Sequence, residues 1–357
     1  MPIPNADYAS DFPDGSVQPV PIKIRATGSI LLEHNIGFAD PARWVQYARS
    51  HGFRPVKAVK VPRCPDCSGA PRSRSWGQYI YYSTLISSLE CTACGLVWAD
   101  AHIPPNIVRE HFEVTYKDYG YFRMSRYAIF QHLVNVIDNL SPRGAHILDI
   151  GGARGDLMAQ LVAQRPDLKA TINDISKTAT GWAAGHFGFA TLTGDANELA
   201  IHQEQYDVVV LSDVLYYEPN LAVLWAALSR LIRRGGSVVI RVPNKYLLIC
   251  LGQLWYRFTH TRARQVMQDR IRFFNPEHIF IFRQRYLRSR LMRMGFRRVH
   301  TLPSPPLTNG KGVVLKSVLF DLATRVNQLS RHTLVLTPGM LVVGIKLGRD
   351  GAGASDA

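Results

Sequence analysis

From Ala145 onward, short continuous apolar runs alternate with stretches of helical periodicity. The apolar runs are Ala145–Ile150, Ala170–Ile175, Ala190–Thr193, Tyr206–Ser212 and Ser237–Val242. Amphipathic segments lie between them, around Asp156–Gln164, Thr178–Phe187 and Leu221–Ile232. Strands without polar alternation are buried on both faces, and helical crossovers between them imply a parallel sheet. Right-handed crossovers then give an open, doubly wound α/β sheet. Gly295–His300 and Leu334–Lys346 predict two further, late strands.

Upstream the pattern is different. Residues 1–62 read as a loose arm with one short helix, opened by Asp40-Pro41 as N-cap and first helical residue and stopped near Gly52. Residues 63–104 hold four of the five cysteines, and residues 105–141 form an aromatic, mostly helical connector. Ser141-Pro142-Arg143-Gly144 is a turn signal that opens the α/β unit, assigned to 142–348 with insertions at about 245–275 and 303–332. The tail 349–357 is small, polar and expected to be disordered.

The composition supports a sizeable core: 46% of residues are hydrophobic and 19% charged, which excludes wholesale disorder. There is no signal-peptide pattern at the start and no apolar run long enough to span a bilayer, so a soluble cytoplasmic protein is expected. Net charge is +15, and it is concentrated: Arg257 to Arg298 contains twelve arginines against Asp269 and Glu277. Such a stretch attracts nucleic acid, phospholipid or a diphosphate-bearing molecule, unless it is a solvated face. Guanidinium forks at Arg262, Arg264, Arg270, Arg272, Arg283 and Arg285 suit phosphate oxygens. The apolar segments Leu247–Phe258 and Val313–Ala323 suit a greasy acceptor site, a membrane surface or ordinary buried helices.

Cys64-Pro65-Asp66-Cys67 and Cys91-Thr92-Ala93-Cys94 form a CxxC…CxxC pair with 23 residues between. Two such knuckles complete a tetrahedral thiolate shell suited to Zn²⁺, and four protein ligands make that site structural. A redox dithiol is the rival, but it would follow a strand in a βαβ setting. Cys250 reads as a packed core residue.

The chemistry concentrates at the strand ends. Leu148-Asp149-Ile150-Gly151-Gly152-Ala153-Arg154-Gly155 follows the first strand and opens a helix, where glycines let backbone approach a ligand. Its spacing is not the GxGxxG of pyridine-nucleotide sites, and Asp149 suits an ammonium rather than a pyrophosphate. The next strand ends in Asp174, placed to accept from ribose hydroxyls. Asp195 follows the third strand, within reach of an adenine amino group, and Ser212 ends the fourth. All four ends face one crevice at the switch point of a doubly wound sheet, which fits an amino acid carried on adenosine.

These motifs resemble those of the class I S-adenosylmethionine-dependent methyltransferases, and more narrowly the bacterial subgroup with an N-terminal Cys₄ zinc-binding segment. The matching pieces are CPDC, ECTACGLVWAD, LDIGGARG, INDIS, GDA, YDVVVLSDVLYY, LIRRGGSVVIRVPN, NPEHIFIF and MGFRRV, in order from Cys64 to Val299. The resemblance implies a Rossmann-like seven-stranded sheet with its last strand antiparallel, beside a small zinc-ribbon module. It implies that Asp149 and the loop bearing Gly151, Gly152 and Gly155 hold the methionine part, Asp174 the ribose and Asp195 the adenine. It also implies O- or C-methylation of a sugar, glycan or secondary metabolite. The chain departs from the family at Ala153, which replaces a glycine, and at Tyr216-Tyr217, which replaces an acid–histidine pair.

Two residues are candidates for the chemical step. Tyr217 stands where the histidine is missing, as base, orienting group or pocket wall. His278 titrates near neutrality, as base or as a local cap. Asn244 could hydrogen-bond the acceptor, and Tyr116, Tyr119, Tyr121 and Phe122 could form a lid or pack between modules. The acceptor is expected to be a small molecule, anionic or lipid-linked. RNA methylation on the basic face, or a non-catalytic protein that kept the fold, are the competing readings.

Overall fold

A computed structural model describes residues 59–81, 84–102, 104–116, 126–247, 250–251, 279–306 and 313–347. The expected N-terminal helix, His278, Tyr119, Tyr121, Phe122, the arginines from 257 to 272 and the tail lie outside these residues.

The cysteine-rich segment contains β1 (Val59–Lys60), β2 (Pro71–Tyr81), β3 (Thr84–Cys91), β4 (Val97–Ala99) and β5 (Ala101–His102). The connector supplies α1 (Pro105–Thr115) and α2 (Tyr127–Leu140). The α/β unit then runs β6 (His146–Ile150), α3 (Asp156–Gln164), β7 (Lys169–Asp174), α4 (Lys177–Phe187), β8 (Ala190–Thr193), α5 (Ala196–Ile201), β9 (Tyr206–Ser212), α6 (Leu221–Leu231) and β10 (Ile232–Pro243). It closes with β11 (Phe280–Ile281), α7 (Gln284–Arg293), β12 (Phe296–Ser304), α8 (Val313–Leu329) and β13 (Gly339–Lys346).

Seven strands form one sheet in the order β12-β13-β10-β9-β6-β7-β8. The chain starts at the central β6, winds out to β8, then crosses back to β9 and onward, so the order reverses beside β6. The last strand, β13, is antiparallel to both neighbours, β10 and β12. This is the doubly wound sheet expected from the continuous apolar strands. Its two faces carry separate cores. Tyr206, Val209, Trp225 and Leu228 are buried on one face, with Leu287 and Phe296. Leu133, Ile147, Leu157, Val208 and Val210 are buried on the other. β10 is longer than its apolar run suggests: it begins at Ile232 and bulges before Ser237, with Gly235 at φ +79°.

The cysteine module is not a free appendage. Its sheet has the order β11-β4-β3-β2, and β11 comes from the α/β unit. Phe280 pairs with Trp98 and Ile281 with Val97. Trp98 and Leu96 belong to the same buried cluster as Trp225 and Leu287. Burying this apolar surface removes the seam along which two modules would hinge. Cys250, expected in the core, is exposed. Its apolar neighbours in sequence did not dictate its burial.

Candidate active site and metal centre

The switch point creates a crevice beyond the carboxyl ends of β6, β7 and β9. A cavity of about 180 Å³ lies there, lined by Asp149, Gly151, Gly152, Asp174, Asp195, Ser212 and Tyr217 among others. Those seven expected residues are brought together. Gly155 is not on the wall. It turns the loop into α3 at φ +81°, and a Cβ there would meet Phe189 at 3.1 Å.

The glycine loop leaves no room for side chains. A Cβ on Gly151 would fall 2.4 Å from Val214, and one on Gly152 would fall 2.8 Å from the Asp149 carboxylate. Ala153 adopts φ +51°, a left-handed conformation that glycine would take without strain. Its N–H donates to Asp174 Oδ2 at 3.0 Å, which holds the unusual backbone in place.

Asp149 and Asp174 are both buried. Asp174 also accepts from Ser176 N–H at 2.9 Å, whereas Asp149 Oδ1 has no hydrogen-bond partner. Burial, with the neighbouring Asp174, pushes the Asp149 carboxyl up to about 8. Burial pushes Asp174 up to about 6 against those hydrogen bonds. Two buried carboxyls facing one cavity, one with an orphaned oxygen, are short of a cationic or donor-rich ligand. An ammonium beside a ribose supplies both, so the residues present fit the amino-acid and ribose parts of S-adenosylmethionine. Ser212 Oγ is likewise buried without a partner. Asp195 caps α5: its carboxylate accepts from Asn197 N–H at 2.8 Å, and Glu198 returns the bond to the Asp195 N–H at 2.9 Å.

The connector roofs this cavity. Phe112 on α1 meets Tyr217 edge-on at 5.5 Å between ring centroids and stacks on the buried Tyr116 at 5.7 Å. Glu113 latches α1 to the start of α4. It accepts from Lys177 N–H at 2.6 Å, Thr178 N–H at 3.0 Å and the Ser176 hydroxyl at 2.9 Å. A carboxylate at a helix N-terminus satisfies otherwise unpaired amides. Arg109 reaches Asp195 at 3.7 Å. Tyr116 thus both lines the cavity and packs the connector.

A buried ion cluster went unread in the sequence. Asp213, at φ +59°, is paired with Arg241 and, at 3.2 Å, with Arg126. It lies just past β9, Arg241 on β10, and Arg126 immediately before α2. Asp213 and Arg126 line the cavity. The nearest sequence signal was an acid following a strand end. Asn244 is not on the cavity wall. It is buried, and its amide donates to the carbonyls of Val335 and Thr337, both at 3.1 Å. It fastens the end of β10 to the approach to β13.

The four cysteine sulfurs lie within 4.8 Å of one another. Cys64 and Cys94 sulfurs are 3.6 Å apart, and those of Cys67 and Cys91 are 3.5 Å apart. Tetrahedral Zn–S bonds of ~2.3 Å would set neighbouring sulfurs roughly 3.8 Å apart, whereas a disulfide needs ~2.05 Å. The donor set therefore fits Zn²⁺. Each CxxC closes a tight turn: Ser68 N–H donates to Cys64 C=O at 2.8 Å, and Gly95 N–H to Cys91 C=O at 3.0 Å. Arg283 makes two bonds to the buried Glu90 of β3, at 3.0 and 3.2 Å, and Arg290 pairs with Asp66 at 3.1 Å. These two arginines of the basic stretch hold the cysteine module, and Arg283 in particular is not free for a substrate phosphate.

A family model described as a methyltransferase domain matches residues 122–301. The chain belongs to that family, as a class I S-adenosylmethionine-dependent methyltransferase. Similar solved structures include a chain of the complex with the Haloferax volcanii Trm112 methyltransferase activator. That pair shares 14% identity at TM-score 0.45 and covers 66% of this chain and 98% of that one. A SAM-dependent methyltransferase from Archaeoglobus fulgidus shares 20% at TM-score 0.41, covering 63% and 96%. A TehB-like SAM-dependent methyltransferase from Corynebacterium glutamicum shares 15% at TM-score 0.40, covering 69% and 100%. A search of the curated proteins gives no match.

Proposed function

We propose that this enzyme methylates oxygen or carbon on a small acceptor, a sugar, glycan or secondary metabolite that can carry phosphate. S-adenosylmethionine supplies a methyl group already activated by its sulfonium. The reading assigns Asp149 and the Gly151–Gly152 turn to the amino-acid part, Asp174 to the ribose and Asp195 to the adenine, with Ser212 as a further polar contact. Gly155 supports the loop by its backbone conformation. The observation that carries this assignment is one cavity wall that holds both Asp174 and Asp149, a buried carboxyl with an unpartnered oxygen.

In such a site the protein aligns the two reactants and excludes water. The α1 roof, with Phe112 and Tyr116 above the cavity, supports the second task. Tyr217 is assigned to orient the acceptor, since its ring is packed by Phe112 at the cavity wall. Arg126, held by Asp213, offers a cation at the same wall for an anionic acceptor. We assign Zn²⁺ to Cys64, Cys67, Cys91 and Cys94 as a structural ion; with four protein ligands it takes no part in the chemical step.

The acceptor class is tested by incubating the full chain with methyl-labelled S-adenosylmethionine and two fractions of a cell extract, small metabolites and RNA. Label in the metabolite fraction that depends on active protein is the expected result. Label confined to RNA would overturn the small-molecule assignment.

A further inference from the structure

Helix α8 turns a row of apolar side chains to solvent. Toward the fold it offers the buried Ala323 and Asn327, and Phe320, whose ring meets that of His132 at 5.9 Å. Asn327 anchors it by donating to the carbonyls of Thr301 at 3.0 Å and Leu334 at 2.8 Å. Toward solvent lie Leu315, Val318, Leu319 and Leu322, each between 55% and 63% exposed, with Leu329 at 86%. Positions i, i+3, i+4 and i+7 form one continuous stripe on a helix. Single exposed leucines are ordinary, but a ridge of apolar side chains along ~20 Å of helix is not. Leu334 and Leu336, just beyond, are half exposed as well.

Around the helix exposed arginines outnumber the one exposed acid of α8, Asp321. Arg325 is exposed on α8, and exposed Arg331 follows its end. Arg288 donates to the His332 carbonyl at 3.3 Å, and the His332 and His300 rings lie 5.2 Å apart. Arg298 is exposed on β12. The whole chain carries +15. A second copy of this chain, itself at +15, would set cations against cations beside the ridge, whereas an anionic surface answers them.

We propose that the outer stripe of α8 rests on an anionic phospholipid surface. Leu315, Val318, Leu319 and Leu322 enter the boundary between headgroups and acyl chains, and the arginines around the end of the helix attract lipid phosphates. This inference stands apart from the acceptor assignment and uses none of the cavity residues.

The test is flotation of the full chain with vesicles of phosphatidylcholine alone or mixed with phosphatidylglycerol. The chain should rise with the mixed vesicles, rise roughly tenfold less with phosphatidylcholine, and be released by salt. Replacing two exposed residues (Val318→Asp with Leu322→Asp) should lower binding to mixed vesicles at least ~tenfold. The melting temperature and S-adenosylhomocysteine affinity should stay unchanged. Should that double variant fail to fold, Leu315→Ser with Leu319→Ser gives the same readout. Failure of the parent chain to float, equal flotation of a folded stripe variant, or a self-association in sedimentation that the variant abolishes would each overturn the proposal.

Discussion

The Tyr286 hydroxyl donates to Asp66 Oδ2 at 2.8 Å, joining the first cysteine knuckle to a helix of the catalytic sheet. Trp225 on α6 completes a relay, its indole N–H donating to the same hydroxyl at 3.3 Å. Arg290 pairs with the other Asp66 oxygen. Removing Asp66 would strand a buried hydroxyl and a half-buried cation together. Asp66→Ala should therefore destabilise the protein by about 2 to 3 kcal/mol, and Tyr286→Phe by about 1 kcal/mol. Urea unfolding measures both. Equal, negligible effects would show that the two modules are only loosely joined.

The same wiring would make a Zn²⁺ held by the four cysteines a stability element for the whole fold. Metal-replete protein should hold about one Zn²⁺ per chain by elemental analysis, and stripping it with a chelator should lower the melting temperature. Cys64→Ser should reproduce both effects. An unchanged transition after complete metal removal would contradict the structural assignment.

Ala153 stands at φ +51° in the glycine loop assigned to the cofactor. Ala153→Gly removes a left-handed strain of about 1 kcal/mol, offset in part by the freer unfolded chain. Stability and S-adenosylhomocysteine affinity should be held or improved. Ala153→Val puts a β-branched residue where φ must be positive, and should weaken affinity roughly tenfold. Calorimetric titration of the two variants separates this account from one in which residue 153 is indifferent.

Asp149 and Asp174 have folded-state pKa values raised to about 8 and about 6. Raised carboxyls favour the ligand-free fold while protonated. That stability is present below their unfolded values and is lost as pH rises through 6 and then 8. A cationic ligand relieves the loss by pairing with the ionised forms. S-adenosylhomocysteine, which keeps the ammonium, should bind more tightly at pH 8.5 than at pH 6. At pH 7 its binding should release protons, seen as a dependence of the calorimetric heat on buffer ionisation enthalpy. Affinity that falls over this range would contradict the role given to the pair.

The sheet was legible because parallel strands buried on both faces leave long apolar runs; β8 and β9 begin and end where the pattern predicts. The cavity was legible too, because the chemistry of a switch point concentrates at strand ends. The ties that cross the chain were not. β11 is two residues long and exists as a strand only because Trp98 and Val97 pair with it. Glu113 is an ordinary helical acid in sequence and becomes a helix cap only when α1 meets α4. Arg126 and Arg241 come from different elements and meet over Asp213. Such contacts have no local period or motif to announce them. Arg283, one of the six arginines offered to a phosphate, was misread for the same reason: its charge answers Glu90 on a distant strand.

The proposed gripping of the cofactor by the strand ends is tested most directly by titrating S-adenosylhomocysteine into the parent protein, Asp174→Ala and Asp195→Ala. One site per chain, with affinity reduced at least ~tenfold in each variant, is the predicted result, since each would lose the carboxylate assigned to a hydrogen bond with the ligand. Parent-like affinity in both variants, or no binding to the parent, would contradict it.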